Sequence, residues 1–159
     1  MTQNGDPRFM RRAIELSRQM MREGRGGPFG AVIVRDGEII AEGFNMVTSA
    51  KDPTAHAEVV AIRDACRRLD DFSLAGCEIY TSCEPCPMCL GAIYWARLDR
   101  MYYANSREDA ADIGFDDAFI YDEIPKPAEE RSLPSMRMLE REALKVFAEW
   151  AKKEDKIEY

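Results

Sequence analysis

Apolar and polar positions alternate along the chain with periods that change every ten to fifteen residues. In "DPRFMRRAIELSRQMM", Phe9, Ala13, Ser17 and Met20 share one face, with Asp6 placed to cap and Pro7 at the first helical position, which predicts a first helix. "AVIVRDGEIIAEGFN" sets two β-branched runs around Asp36-Gly37, the dipeptide of a tight hairpin. From Ala55 to Leu69, Val59, Ile62, Ala65, Cys66 and Leu69 return to helical spacing, and Gly76 then breaks the chain before a strand in "CEIYTSC". Pro85 is placed to open the next helix, "PCPMCLGAIYWARL", in which Trp95 reads as core packing, and "RMYYAN" follows as a strand. "EDAADIGFDDAFIY" reads as loops with short helical pieces.

Residues 123–135 carry Pro125, Pro127 and Pro134 and read as a stiff, extended hinge. Residues 136–159 then form a last helix and tail, with Leu139, Ala143, Phe147 and Trp150 on one helical face. Strands alternating with helices, without internal repeats, predict an α/β fold: a three-layer α/β/α sandwich with a central mixed sheet.

Composition narrows this picture. A chain of 159 residues that is 46% hydrophobic can close one core, so a single domain over 1–159 is expected. No run approaches the roughly 20 apolar residues of a membrane span, and "MTQNGDPRF" lacks the regions of a secretory signal, so a cytoplasmic protein without a membrane partner is expected. A net charge of −7 disfavours a nucleic-acid partner, since binding a polyanion draws on clustered Lys and Arg. Residues 136–159 hold six Lys or Arg against six Asp or Glu, which is no basic strip. A small-molecule substrate is the better expectation.

The cysteines change the picture most. They number five, three of them in "CEPCPMC", which looks unlike a disulfide framework and more like thiolates kept reduced for a metal. Cys86 and Cys89 are three apart, so at a helix start they share a face, where the helix end favours their thiolate forms. The lone histidine, His56, completes a set suited to Zn²⁺, and three protein ligands leave the fourth tetrahedral position open. Glu58 follows two residues later. Both side chains can face one ion only if His56 lies at or before the first full turn of its helix. A carboxylate in that place is a candidate general base. The rival arrangement, a structural zinc closed by His56, Cys83, Cys86 and Cys89, has no use for such a base.

H-x-E in "HAE" together with P-C-x-x-C in "PCPMC" is the signature of zinc nucleobase deaminases. With "GGPFGAVIV", "DPTAHAEVVAIR", "TSCEPCPMCLGAIYWAR", "GFDDAFIY" and "KPAEER", the chain resembles the bacterial guanine deaminases of the cytidine-deaminase-like fold over most of its length. The resemblance implies hydrolysis of guanine to xanthine and ammonia, with Glu58 carrying protons. It also implies a base pocket in which Phe29 contacts the purine face, Asn45 hydrogen-bonds the ring, Asp117 accepts from donors on the base and Tyr159 closes the site. A homodimer with exchanged C-terminal segments is implied as well. The alternatives are a deaminase of cytosine or another small amino-heterocycle, a tRNA adenosine deaminase, and a structural-zinc binding module.

Overall fold

The computed structural model describes residues 4–159 and divides into two compact units, one running to Asp117 and one over Ala118–Tyr159. In the first unit, helix α1 (Pro7–Arg22) starts where Asp6 accepts a hydrogen bond from the Arg8 backbone N–H at 2.9 Å. Strands β1 (Gly30–Arg35) and β2 (Glu38–Phe44) form the hairpin, and Asp36 and Gly37 both take positive φ at its turn. A short helix α2 (Val47–Ala50) leads to α3 (Ala57–Leu69), followed by β3 (Cys77–Cys83), α4 (Pro87–Trp95), β4 (Arg100–Asn105) and α5 (Arg107–Asp112).

The sheet order is β2-β1-β3-β4. β1 runs antiparallel to both β2 and β3, whereas β3 and β4 are parallel, so the sheet is mixed. Alternation along β1 builds two cores. Val32 and Val34 pack with Phe9, Leu16 and Tyr80 on the α1 side, while Ala31 and Ile33 pack with Ala41, Ile79 and the alanines of α3 on the other. This is the expected three-layer α/β/α arrangement.

Three details depart from the periodicity. The deepest residues of α3 are Ala57, Ala61 and Ala65, with Ile62, Cys66 and Leu69 flanking them. The helix lies that close because β2 offers Gly43 beneath it, where a Cβ would meet the Ala57 carbonyl oxygen at 2.2 Å and the Ala61 nitrogen at 2.6 Å. α4 begins at Pro87 rather than Pro85, with Cys86 as its N-cap. Trp95 is 65% exposed, because α4 turns Cys89 and Ile93 inward and Trp95, two residues beyond Ile93, faces away from them.

The second unit comprises α6 (Ala118–Glu123), a 3-10 turn at Ala128–Glu130 and α7 (Glu140–Lys152). Residues 123–135 cross-link themselves. Glu123 binds Lys126 at 2.5 Å and accepts from the Ser132 N–H at 2.6 Å, while the Arg131 guanidinium donates to the carbonyls of Ile124 and Lys126 at 3.0 Å. No helix among the described residues is long and apolar enough to cross a membrane.

Candidate metal and catalytic site

Two helix N-termini supply the cluster. His56 is the N-cap of α3 in extended conformation (φ −71°, ψ 154°), so it stands outside the helical periodicity that would otherwise turn it away from Glu58. Cys86 caps α4 in the same way (φ −66°, ψ 168°), and Cys89 occupies the third helical position. Pro87 suits the first position, having no N–H to satisfy there. Both helix ends present partial positive charge to the sulfurs.

The ligand atoms of His56, Cys86 and Cys89 lie within 4.8 Å of one another. His56 Nδ1 stands 3.5 Å from the Sγ of Cys86 and 3.5 Å from that of Cys89. Zn–S bonds of about 2.3 Å and a Zn–N bond of about 2.0 Å at tetrahedral angles require a sulfur–nitrogen separation of about 3.5 Å. The residues fit a zinc ion. Cys83, the fourth member of the rival closed site, is buried and turns its Sγ to the Ser106 carbonyl oxygen at 3.6 Å. Burial pushes its thiol up to about 11. Among the described residues the metal group therefore has three members.

Hydrogen bonds among the ligand atoms, and burial, set their protonation. The hydrogen bond from Cys89 brings the Cys86 thiol down to about 4 against the opposing effect of burial. The same bond, with burial, pushes Cys89 up. His56 is raised by its bond to Cys86. Glu58 is 6% exposed, and desolvation raises its carboxyl above the ordinary value. Its Oε1 lies 3.2 Å from the Thr81 hydroxyl, a donor contributed by β3.

The other expected site residues have these positions. Phe29 precedes β1, half-buried, with its ring 4.9 Å from Phe115 in an edge-to-face pair. Asn45 ends the hairpin at 7% exposure, and its N–H donates to the Phe29 carbonyl at 3.1 Å. Its Oδ1 accepts from the N–H groups of Gly27 and Val47 at 3.3 and 3.2 Å. These bonds settle the amide orientation and leave the Nδ2 hydrogens as its donors. Asp117 is half-buried, raised chiefly by desolvation and also by the charge of Cys86. Tyr159 is 75% exposed in the second unit. Thr81 and Phe115 escaped sequence reasoning. Thr81 reads as one more β-branched strand residue, and Phe115 as an apolar residue in a loop.

Residues 3–105 match the family model described as the cytidine and deoxycytidylate deaminase zinc-binding region. The chain belongs to this zinc deaminase family. His56, Glu58, Cys86 and Cys89 all fall within the matched region, and His56, Cys86 and Cys89 form a group that could hold the zinc of the family. The chain is 57% identical to the guanine deaminase of Bacillus subtilis (strain 168), over 95% of this chain and 97% of that one. The crystal structure of the Bacillus subtilis guanine deaminase superposes with a TM-score of 0.94 at 55% identity, covering 98% of this chain and 99% of the other. A guanine deaminase from Nitrosomonas europaea gives a TM-score of 0.68 at 32% identity, covering 81% and 71%. The tRNA-specific adenosine deaminase of Aquifex aeolicus (strain VF5) is 42% identical, but over 63% of this chain and 66% of its own. The mixed sheet, its helical layers and the zinc-dependent aminohydrolase chemistry are those of the family.

Proposed function

We infer that this chain catalyses the hydrolytic deamination of guanine to xanthine and ammonia. The observation that carries this reading is a three-residue zinc set with a buried carboxylate, Glu58, two residues from its histidine ligand, in a chain similar to a guanine deaminase over nearly its full length. His56, Cys86 and Cys89 hold the zinc, which when bound supplies the Lewis acidity that activates water for attack at C2 of the base. Glu58 takes the proton that this water gives up, passes one to a ring nitrogen as the tetrahedral centre forms, and delivers one to the departing amine. The bond formed is C2–O, the bond broken is C2–N, and water supplies the atoms. Burial serves this role. A carboxyl with a raised pKa is both a stronger base and easier to keep protonated between steps.

Recognition follows from donor and acceptor chemistry. Asn45 offers its NH₂ to an acceptor on the purine, because its oxygen is engaged by Gly27 and Val47. Asp117 accepts from the N–H donors of the base, and Phe29, held edge-on by Phe115, lies against its face. Tyr159 closes the pocket, and we assign that closure to a homodimer whose C-terminal segments are exchanged. The exposure of Phe147 (74%), Leu144 (51%) and Trp150 (44%) on α7 supports the dimer, since an apolar face of that size needs a cover. All five cysteines are free, in keeping with work in the reducing cytoplasm.

Ammonia release from the zinc-loaded protein, measured in parallel on guanine, guanosine, adenine, cytosine and an adenosine-containing tRNA anticodon stem-loop, tests the reading. Release from guanine is expected. Release from the stem-loop alone would overturn it in favour of RNA editing.

A further inference from the structure

The third, central strand carries a polar side chain where its pattern calls for an apolar one. On β3, Cys77 and Ile79 belong to the core cluster packed against α3, and the period of two puts Thr81 next in that row. Thr81 is 1% exposed, and its backbone is held on both sides, opposite Ala31 of β1 and Tyr103 of β4. A valine would fill the same volume without a polar atom to satisfy. A buried hydroxyl is costly unless it is bonded, so its partners identify its use. There are two acceptors within reach of its single proton: Glu58 Oε1 at 3.2 Å and the Cys83 carbonyl oxygen at 3.1 Å.

We propose that Thr81 is a positioning residue for the deamination, its hydroxyl fixing the Glu58 carboxylate relative to the zinc ligands. This rests on the guanine deaminase reading above. Glu58 stands in the first turn of α3, a helix whose seating is set by side-chain packing, whereas Cys86 and Cys89 follow directly from the end of β3. Beside the contacts of His56 and Glu58 with the cysteines, Thr81 adds a hydrogen bond from the strand itself. It belongs to the strand that runs on through Cys83 to Cys86, and it binds the carboxylate of the opposing helix. With one carboxylate oxygen tied to a rigid central strand, the side chain does not swing away from the water and base it serves. A proton carrier displaced by about 1 Å costs on the order of 100-fold in rate, while ground-state binding of the base depends on other groups.

Zinc content, melting temperature, KM and kcat on guanine, measured for the parent, Thr81→Val and Thr81→Ser, test this. We expect Thr81→Val to keep one zinc per chain and a KM within about threefold of the parent, while kcat falls about 10- to 100-fold. Thr81→Ser, which restores the hydroxyl, should recover most of that loss. A purely structural threonine would lower stability or zinc content without this split of kcat from KM, and Ser would not rescue. Near-parent kcat in Thr81→Val, or a loss that Thr81→Ser fails to recover, would overturn the proposal while leaving the guanine reading intact. A parent that does not turn over guanine would overturn both. If Thr81→Val fails to fold, Thr81→Ala against Thr81→Ser makes the same comparison.

Discussion

Glu58 and His56 sit two residues apart, a spacing that would point them in different directions on a continuous helix, and the N-cap position of His56 removes the conflict. That single backbone choice lets one short motif offer both a candidate metal ligand and the carboxylate we propose as proton carrier. Replacing Glu58 by Gln preserves size and removes the proton capacity, so turnover of guanine should fall by about 10²- to 10⁴-fold or more while metal analysis still finds one zinc per chain. A Glu58→Gln enzyme running at near-parent rate would remove Glu58 from the mechanism. Cys83 gives the complementary test. Its thiol is bonded to the Ser106 carbonyl, outside the metal group, so Cys83→Ser should retain stoichiometric zinc against a mild chelator. Zinc loss in that variant, as severe as in Cys86→Ser, would point to a closed four-ligand site. The grouping of His56, Cys86 and Cys89 was legible in the sequence, because H-x-E and P-C-x-x-C are local patterns with a chemical reason for each member. Thr81 was not, because its value comes from a hydrogen bond to a residue 23 positions away.

The elements hold these residues by close approach of helix to sheet. Gly43 is the contact on which α3 rests, and a methyl group there would press on the Ala57 carbonyl at 2.2 Å, backbone against which no side chain can yield. Gly43→Ala should therefore lift the N-terminal turn of α3, cost about 1–3 kcal/mol of stability in denaturant unfolding, and weaken zinc retention because His56 starts that turn. Unchanged zinc affinity with lowered stability would show that the two helix ends move independently. Apolar periodicity marked Val59, Ile62, Ala65, Cys66 and Leu69 along the α3 face, and the structure adds Ala57 and Ala61 to Ala65 as its deepest residues. Hydrophobic pattern locates a face, but it does not say how near a glycine allows that face to come. In the second unit, Glu123, Lys126, Arg131 and Ser132 tie the segment 123–135 to itself. The Lys126 ammonium holds the Glu123 carboxyl below the ordinary glutamate value of 4.5. A lowered folded-state pKa means the charged form is favoured in the fold. The contribution is thus present above the ordinary value and lost as pH falls through the lowered one. Protection of the Ser132 amide, which donates to Glu123, relative to its intrinsic exchange rate should hold at pH 6 and fall only below about pH 4.5, the ordinary carboxyl range. Equal protection of that amide in Glu123→Gln at pH 6 would contradict this.

At the scale of the whole molecule, the question is which chain completes which pocket. If the C-terminal segments are exchanged, a chain lacking Glu58 can still lend its tail, and a chain with a defective tail can still supply Glu58. Co-refolding Glu58→Ala with Tyr159→Ala should then restore up to about a quarter of the parent activity, the share expected when random pairing makes half the dimers mixed and each carries one complete site. No activity above the sum of the two variants, or a solution mass equal to one chain, would show that each pocket is closed by its own chain. In such an exchanged dimer the exposed apolar residues of α7 would supply the driving force, and the net charge of −7 would make it salt-dependent.

What the sequence determined by itself is the chemistry and the class of fold. A zinc set of one imidazole and two thiolates, a carboxylate beside it, and alternating strand and helix periods follow from residue identity and local spacing, and each needs only its neighbours along the chain. What the tertiary structure decided is everything that depends on register and distance between segments. The pairing of β3 with β1 and β4 brings a buried hydroxyl to Glu58, the Gly27 and Val47 amides engage the oxygen of Asn45 and leave its NH₂ as donor, and the turn of α4 leaves Trp95 65% exposed. These are long-range contacts between groups whose local patterns are ordinary, and a pattern read along one dimension holds no record of them.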